Sequence, residues 1–349
     1  INDRKKRDAV VNEEFLQEEI IDEKPFIKIS FLSLLKVGIT SNYVKTLGLI
    51  LAFLATIYEN GKNFLPEEGF NEEEIGNYLD QSAVISSIVF VFFLMLILIL
   101  VINLIRVVFK YFNYQLTKQN GSLLLSFGLL STKSTIVKPE KVQIVTLSRN
   151  YFQKKMNILE IKIKQASSSD KENNKSIIEI PGCDDKEKEA IFKLLFHSIP
   201  EKGVVLKPNY RKLVFSIFLF IVLPLVGFYV FAHYIKPEFL EYVYVLPLYL
   251  LFVGLIVYFG YKNNRLYIHD DFIIKQSGAW DIDNKIIEPG KIQAITTSQL
   301  FWHKKADIGS LIIHTAGGDV AFQLGNFTSI KQYVNLWLYR IETANNNWM

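Results

Sequence analysis

Two textures alternate along this chain: long stretches with no polar interruption, and stretches in which apolar and polar residues take turns. Ser82 to Leu104 and Leu213 to Ile235 carry no charge, and each is long enough for a bilayer-crossing helix, which needs roughly 20 apolar residues. A third uncharged run, Tyr242 to Tyr261, just reaches that length, and Thr46 to Tyr58 reaches it by extending back past Lys45. The pattern predicts four transmembrane helices in two hairpins, residues 44–109 and 213–261. Ahead of them, residues 26–43 place Ile27, Phe31, Leu34, Leu35 and Gly38 near helical spacing. That helix either lies in the membrane interface or packs on the spans.

Between the apolar runs the period falls to two. SLLLSFG, STIVKP, KVQIVTLS, ILEIKIKQ and SIIEIPG read as short strands, as do RLYIH, FIIKQSG, KIIEP, KIQAITTS, SLIIHTAG and DVAFQLG. Strands this closely spaced predict an antiparallel sandwich or open barrel. Each series ends in an amphipathic helix. One has Asp184 as N-cap and Ile191, Leu194 and Leu195 on one face; the other aligns Ile330, Val334, Trp337 and Ile341.

The two series are copies. Tyr111 to Ala166 aligns without a gap with Tyr261 to Ala316, matching Gly128/Gly278, Ile136/Ile286, Pro139/Pro289, Lys141/Lys291, Gln143/Gln293, Thr146/Thr296 and Lys155/Lys305. Each copy follows a helical hairpin, so the duplicated unit is two spans plus one soluble domain. The first copy departs at ASSSDKENNKS, which reads as a polar hairpin tip where the second has a tight AGGD turn.

Charge orients the arrangement. The segment 59–81 is acidic, whereas Lys36, Lys45, Arg106, Lys110, Arg211, Lys212, Lys262 and Arg265 flank the other ends of the spans. The preference of Lys and Arg for the cytoplasm puts both hairpin tips outside and every long polar segment, with the C-terminus, inside. A net charge of +4 over 349 residues gives no global pull on nucleic acid. The one cysteine, Cys183, excludes an internal disulfide.

The run from GLL or GAW through an (I/V)xP segment into K(V/I)Q, then an aromatic and Lys-Lys before a long strand, resembles the bacterial PH-domain membrane proteins of the YdbS/YdbT-like family. That resemblance implies a multi-pass α-helical membrane protein with two cytoplasmic PH-like β-barrel or sandwich domains, each closed by a C-terminal helix. Covering roughly 110–197 and 261–343, and taken with the spans read above, it divides the chain into residues 1–25 as a charged linker or the end of an upstream domain, 26–43 as an interfacial helix, 110–200 and 262–343 as the PH-like domains, 201–212 as a linker and 344–349 as a tail. It also implies that the chain is the C-terminal part of a longer one, with a bacterial inner-membrane location, a smaller PH-domain protein as partner, and a role in envelope homeostasis or resistance to membrane-active agents.

No GxSxG, HExxH, Walker, Rossmann or CxxC pattern occurs, so no catalytic residue, cofactor site or metal site is expected. The histidines His197, His233, His269, His303 and His314 are scattered, with no pair at helical ligand spacing. His233 lies near the outer end of a span; Asn103 is expected to make a helix–helix hydrogen bond, and Pro224 and Pro247 to loosen the second hairpin.

The strongest candidates are the repeated loops with Phe152, Lys154 and Lys155, and with Trp302, His303, Lys304 and Lys305. An aromatic ring suits the headgroup region and lysines suit anionic lipid, so the loops either dock on the membrane or are ordinary solvated turns. Pro139, Lys141 and Gln143, with Pro289, Lys291 and Gln293, read as structural: a proline at the start of a strand, and a glutamine serving backbone groups. The expected function is a non-catalytic scaffold whose partners are membrane lipids and another membrane protein, as a homo- or hetero-oligomer, since open sheet edges accept strands. The alternative is a lipid-handling or transport component that uses the helix bundle, although its spans hold almost no charge.

Overall fold

The computed structural model describes residues 25–41, Tyr43, Thr46, Gly48, Ala52, and residues 81–119, 121–129, 131–166 and 177–343. Most of the expected first span, the acidic tip 59–80, the polar insertion, the charged start and the tail lie outside the described residues.

Among the described residues each module holds seven strands and a closing helix. The first has β1 (Ile27–Lys28), β2 (Gln115–Gln119), β3 (Ser122–Phe127), β4 (Lys133–Val137), β5 (Val142–Arg149), β6 (Leu159–Gln165) and β7 (Ile177–Cys183). The second has β8 (Val204–Leu206), β9 (Arg265–Ile268), β10 (Ile273–Ser277), β11 (Ile282–Ile287), β12 (Ile292–Ser298), β13 (Ile308–Thr315) and β14 (Gly318–Asn326). Helix α1 (Phe31–Thr40) and helix α2 (Gln81–Tyr111) come between β1 and β2, and a short helix α3 (Tyr151–Lys155) follows β5. Helix α4 (Asp185–Phe196) closes module 1. Helix α5 (Arg211–Tyr234) and helix α6 (Leu246–Lys262) come between β8 and β9, and helix α7 (Phe327–Thr343) closes module 2.

β1 and β8 are short, and β2 is largely polar, so period-two counting passes over all three. Each of β1 and β8 precedes its module's helices yet pairs with the first strand after them: Ile27 faces Leu116, and Leu206 faces the aligned Leu266. β8 lies within 201–212, so this stretch belongs to the second module's sheet.

All pairings are antiparallel, but the sheets do not respect the module boundary. β1-β2-β3-β4 form one sheet and β12-β13-β14 another, while β7-β6-β5-β11-β10-β9-β8 form a continuous seven-stranded sheet. β11 of module 2 pairs with β5 of module 1, setting Ile286 opposite Val145, Lys285 opposite Thr146 and Asn284 opposite Leu147. Among the described residues no barrel closes on itself. Instead, the second sheet of one module is extended by the first sheet of the next.

The cores follow the shared strand. Val145, Leu125, Ile161 and Ile163 are fully buried in a cluster that also takes in Phe272, Ile274 and Ile286 from module 2. Ile144 projects into the other cluster, with Leu266, Ile273, Phe322 and Trp337. Val145 and Ile144 thus serve two cores from one strand. The closing helices behave as amphipathic lids. α4 buries Ile191, Phe192, Leu195 and Phe196, with Leu194 only partly covered, and α7 buries Phe327, Ile330, Val334 and Trp337. Asp184 accepts from the Glu187 backbone N–H at 2.7 Å, and Asn326 accepts from Ser329 in the corresponding place at 2.8 Å.

Among the described residues, Phe93–Tyr111, Arg211–Tyr234 and Pro237–Lys262 are long and apolar enough to cross a membrane, with mean hydropathies of 2.5, 2.7 and 2.2. A π-helical turn, Phe218–Val222, precedes Pro224. Proline lacks an N–H, which leaves the carbonyl four residues earlier without its helical donor. That carbonyl, Phe220 O, accepts from the Tyr249 hydroxyl of α6 at 2.5 Å, so the partner helix satisfies it. Asn103 Oδ1 accepts from the Thr46 hydroxyl, both groups being buried.

Candidate interaction site

The paired loops have different moorings. In module 1 the turn after β5 is a helix fixed by a reciprocal cap: Asn150 Oδ1 accepts from Gln153 N at 2.9 Å, and Gln153 Oε1 accepts from Asn150 N at 3.0 Å. The remaining amide donors reach the end of α1, Asn150 Nδ2 to Thr40 O at 2.8 Å and Gln153 Nε2 to Ser41 Oγ at 3.0 Å. This loop is therefore tied to the end of α1. Phe152, Lys154 and Lys155 remain exposed, and the Phe152 ring lies 5.8 Å from Trp280 of module 2.

In module 2 the loop is a 3₁₀ turn, Phe301–Ala306. Its exit residue, Asp307, has φ +51°, as the aligned Asn157 has φ +52°. The Asp307 carboxylate accepts from Asn326 Nδ2 at 2.7 Å and from the Thr328 hydroxyl at 3.0 Å, so this loop is fastened to the start of α7. Phe301 and Trp302 are 75% and 55% exposed. Lys304 and Lys305 are exposed and His303 is intermediate.

The proline motifs make 3₁₀ turns, Pro139–Lys141 and Pro289–Lys291, that lead into β5 and β12. Lys291 Nζ crosses to Glu140 O at 2.7 Å, joining the modules. Gln143 is buried, and its side-chain amide has no hydrogen-bond partner among the described residues; Gln293 is exposed. The β13–β14 turn packs on that same strand, since a Cβ on Gly317 would come within 2.8 Å of Gln143 Cβ. The ring of Phe196 meets Phe272 at 5.3 Å and completes the seam. Sequence reasoning singled out Phe152, Lys291 and Gln143 without their shared location. The identical spacing of the copies was the available signal, but it does not say which module touches which.

A cavity of about 430 Å³ opens where the base of α2 meets the seam. Arg106, Lys110, Glu160, Lys162, Glu179 and Trp280 contribute to its wall. Burial pushes the Glu160 carboxyl above the usual carboxylate range, against the pull of Lys162 at 3.3 Å. Burial acts the same way on Glu179, but the hydrogen bonds from Lys110 at 2.6 Å and from the Tyr111 hydroxyl at 2.5 Å outweigh it and hold this carboxyl low. Both carboxylates are already engaged by lysines, and among the described residues no group of His, Cys, Asp or Glu is placed to hold a metal. The cluster braces the helix base against β6 and β7. His233 stacks on Tyr229 at 5.8 Å.

A profile described as Bacterial PH domain matches residues 75–199 and again 217–337. The chain belongs to the bacterial PH domain family. The two matches start ahead of α2 and within α5, respectively, and run into the closing helix of each module, leaving out β1 and β8. Comparison with curated proteins and with solved structures gave no match. Within this bacterial PH chain the seam between copies is built from a strand pairing, the Lys291–Glu140 bond and two ring contacts. Tandem bacterial PH domains suggest a non-catalytic interaction role.

Proposed function

We propose that the chain is a membrane-anchored scaffold whose fused bacterial PH modules lie against the inner leaflet of the bacterial cytoplasmic membrane, with both hairpin tips outside. The observation that carries this reading is the continuous seven-stranded sheet. It turns two modules, each beside its own apolar helices, into one body. A body fixed at two places has a set orientation beneath the bilayer, which suits holding partners in register. The mooring of Lys154 and Lys155 to the end of α1 supports their docking on anionic headgroups, at about 1 kcal/mol per basic residue near the surface. Another membrane protein, a smaller PH-domain chain by resemblance, is the proposed heterologous partner, in envelope upkeep.

The test is extraction of the full chain in polymer-bounded native membrane discs, followed by mass spectrometry of protein and lipid. A stoichiometric protein partner and enrichment of anionic lipid are expected, with the enrichment lost when Lys154, Lys155, Lys304 and Lys305 are replaced by Gln. Recovery of the chain without a protein partner, together with solute conductance in planar bilayers, would replace the scaffold with a transport component.

A further inference from the structure

The seam inside the molecule uses one edge from each module, and it leaves the equivalent pair of edges open. β5 of module 1 aligns with β12 of module 2, and β11 of module 2 aligns with β4 of module 1. Among the described residues β5 pairs with β11, whereas β12 and β4 are the outer strands of their sheets. The chain therefore carries a second pair of the edge strands that already hold it together, split between its two ends, although Ser122 stands where the seam has Phe272.

We propose that β12 of one chain pairs antiparallel with β4 of a second copy, repeating between molecules the contact that fuses the modules within one. The established register fixes the partners. Shifting Ile286/Val145, Lys285/Thr146 and Asn284/Leu147 to the aligned positions sets Ile136 of the second copy against Ile295, Thr135 against Thr296, and Ser134 against Thr297. Ile–Ile, Thr–Thr and Thr–Ser are favourable cross-strand pairs. Ile136 is 56% exposed.

The edges are lightly protected: β12 has one register shift, between Ile292 and Ala294, at the place where β5 has one between Val142 and Ile144 and pairs with β11 all the same. Sheet edges are commonly guarded by charge, proline or a bulge that turns them away. β12 reads IQAITTS, without a charge and rich in β-branched residues, and in β4 only Lys133 is charged. On the β4 side, Ile136 O takes a weak 3.3 Å bond from Gln165 Nε2. The exposed ring of Trp302 falls into place too. Its counterpart Phe152 lies against Trp280, whereas Trp302 meets only rings of its own loop, Phe301 at 4.4 Å and His303 at 6.2 Å, among the described residues, and stays 55% exposed.

Such a contact is head-to-tail, so it either closes into a ring or continues. This inference rests on the scaffold reading, in which both helical hairpins enter one bilayer. The turn from module to module must then run about the membrane normal. Repeating it keeps every added chain in the same plane and curves the assembly within it.

Cysteine cross-linking of the full chain in its membrane tests this. Native Cys183 is fully buried and does not compete. Thr297→Cys and Ser134→Cys chains carrying different tags should form a mixed disulfide dimer on oxidation and no like-with-like dimer. The double variant should give a ladder of higher species, reduced about tenfold by Ile295→Lys, a charge on the pairing edge. Like-with-like dimers, or no cross-link at all, would overturn the proposal. Membrane flotation and protease protection on the same samples separate the two readings. A chain that floats, with both modules on one face, but does not cross-link defeats only the edge pairing. Modules on opposite faces, or a chain that does not float, defeat the scaffold reading as well.

Discussion

β5 and β12 descend from one strand and still share Gln, Thr and Ser at aligned positions, yet one is the most enclosed strand of the molecule and the other is largely exposed. The difference lies in what stands beside them. Among the described residues β5 has β6 on one edge and β11 on the other, and β12 has only β13. Their sequences have adjusted to match. Ile144, which in β5 reaches the neighbouring module's core, and Leu147, which packs on the first core, are replaced by Ala294 and Thr297 in β12. A copied strand thus keeps its backbone role while its side chains record its surroundings. Ala294 in place of Ile144 also makes any seam at β12 the weaker of the two, in keeping with a contact between molecules.

The largest effect expected from this contrast comes from placing a charge in each strand. Val145→Asp puts an unpaired carboxylate into a fully buried position of the shared sheet and should cost ~3–5 kcal/mol. Ile295→Asp, at the aligned, half-buried site, should change monomer stability by no more than ~1 kcal/mol. Thermal unfolding of both variants in detergent decides it. Equal losses would mean that β12 is as enclosed as β5.

A second contrast concerns two core positions. Module 1 places Tyr114 and Leu125 in its apolar interior; module 2 has Asn264 and Lys275 at the aligned sites, with Lys275 Nζ hydrogen-bonded to Asn264 Oδ1 and donating to Gln276 O at 2.7 Å. Burial, helped by Lys212 and Lys285, brings the Lys275 ammonium down from its ordinary 10.5 to about 7. The folded protein therefore holds this proton less tightly than the unfolded chain does. The associated stability is fully present above pH 10.5, falls as pH drops, and is lost once pH passes below about 7. Stability measured by denaturant titration should rise between pH 7 and pH 9 in the natural protein and flatten in Lys275→Leu. If the slope is unchanged, another group carries it. Leu125→Lys, the reverse exchange without an amide partner, should destabilise module 1 at every pH below 7.

The smallest effect sharpens the comparison of the loops. Asn150→Ala removes an N-cap and the donor to Thr40 O, and should cost ~1 kcal/mol by the same unfolding assay. The aligned position in module 2 is Leu300, whose loop has no side-chain cap, so Leu300→Ala should leave the turn intact.

Much of this was legible in the chain itself. Apolar runs of bilayer length mark the helices, because lipid demands an unbroken apolar surface. Period-two alternation marks most of the strands, and the gap-free copy marks the modules. Asp184 declares its own helix start, since capping is local chemistry. The short strands β1 and β8 escaped, because two or three residues carry no measurable period; their pairing depends on β2 and β9, which follow long helical insertions. Phe152 and Trp302 could be picked out as a pair, but not that one meets Trp280 while the other does not.

The sequence by itself determined the long helices, the longer strands, and that one unit was written twice, because those properties follow from residues close together in the chain. Only the tertiary structure decided that the two units share a sheet through β5 and β11, with Ile144 and Val145 facing different cores. Two copies of one module offer equivalent edges, so local pattern cannot choose between them. The choice is made by the packing of Lys291, Phe272, Trp280 and Gly317 against module 1, contacts that exist only once the chain has folded back on itself.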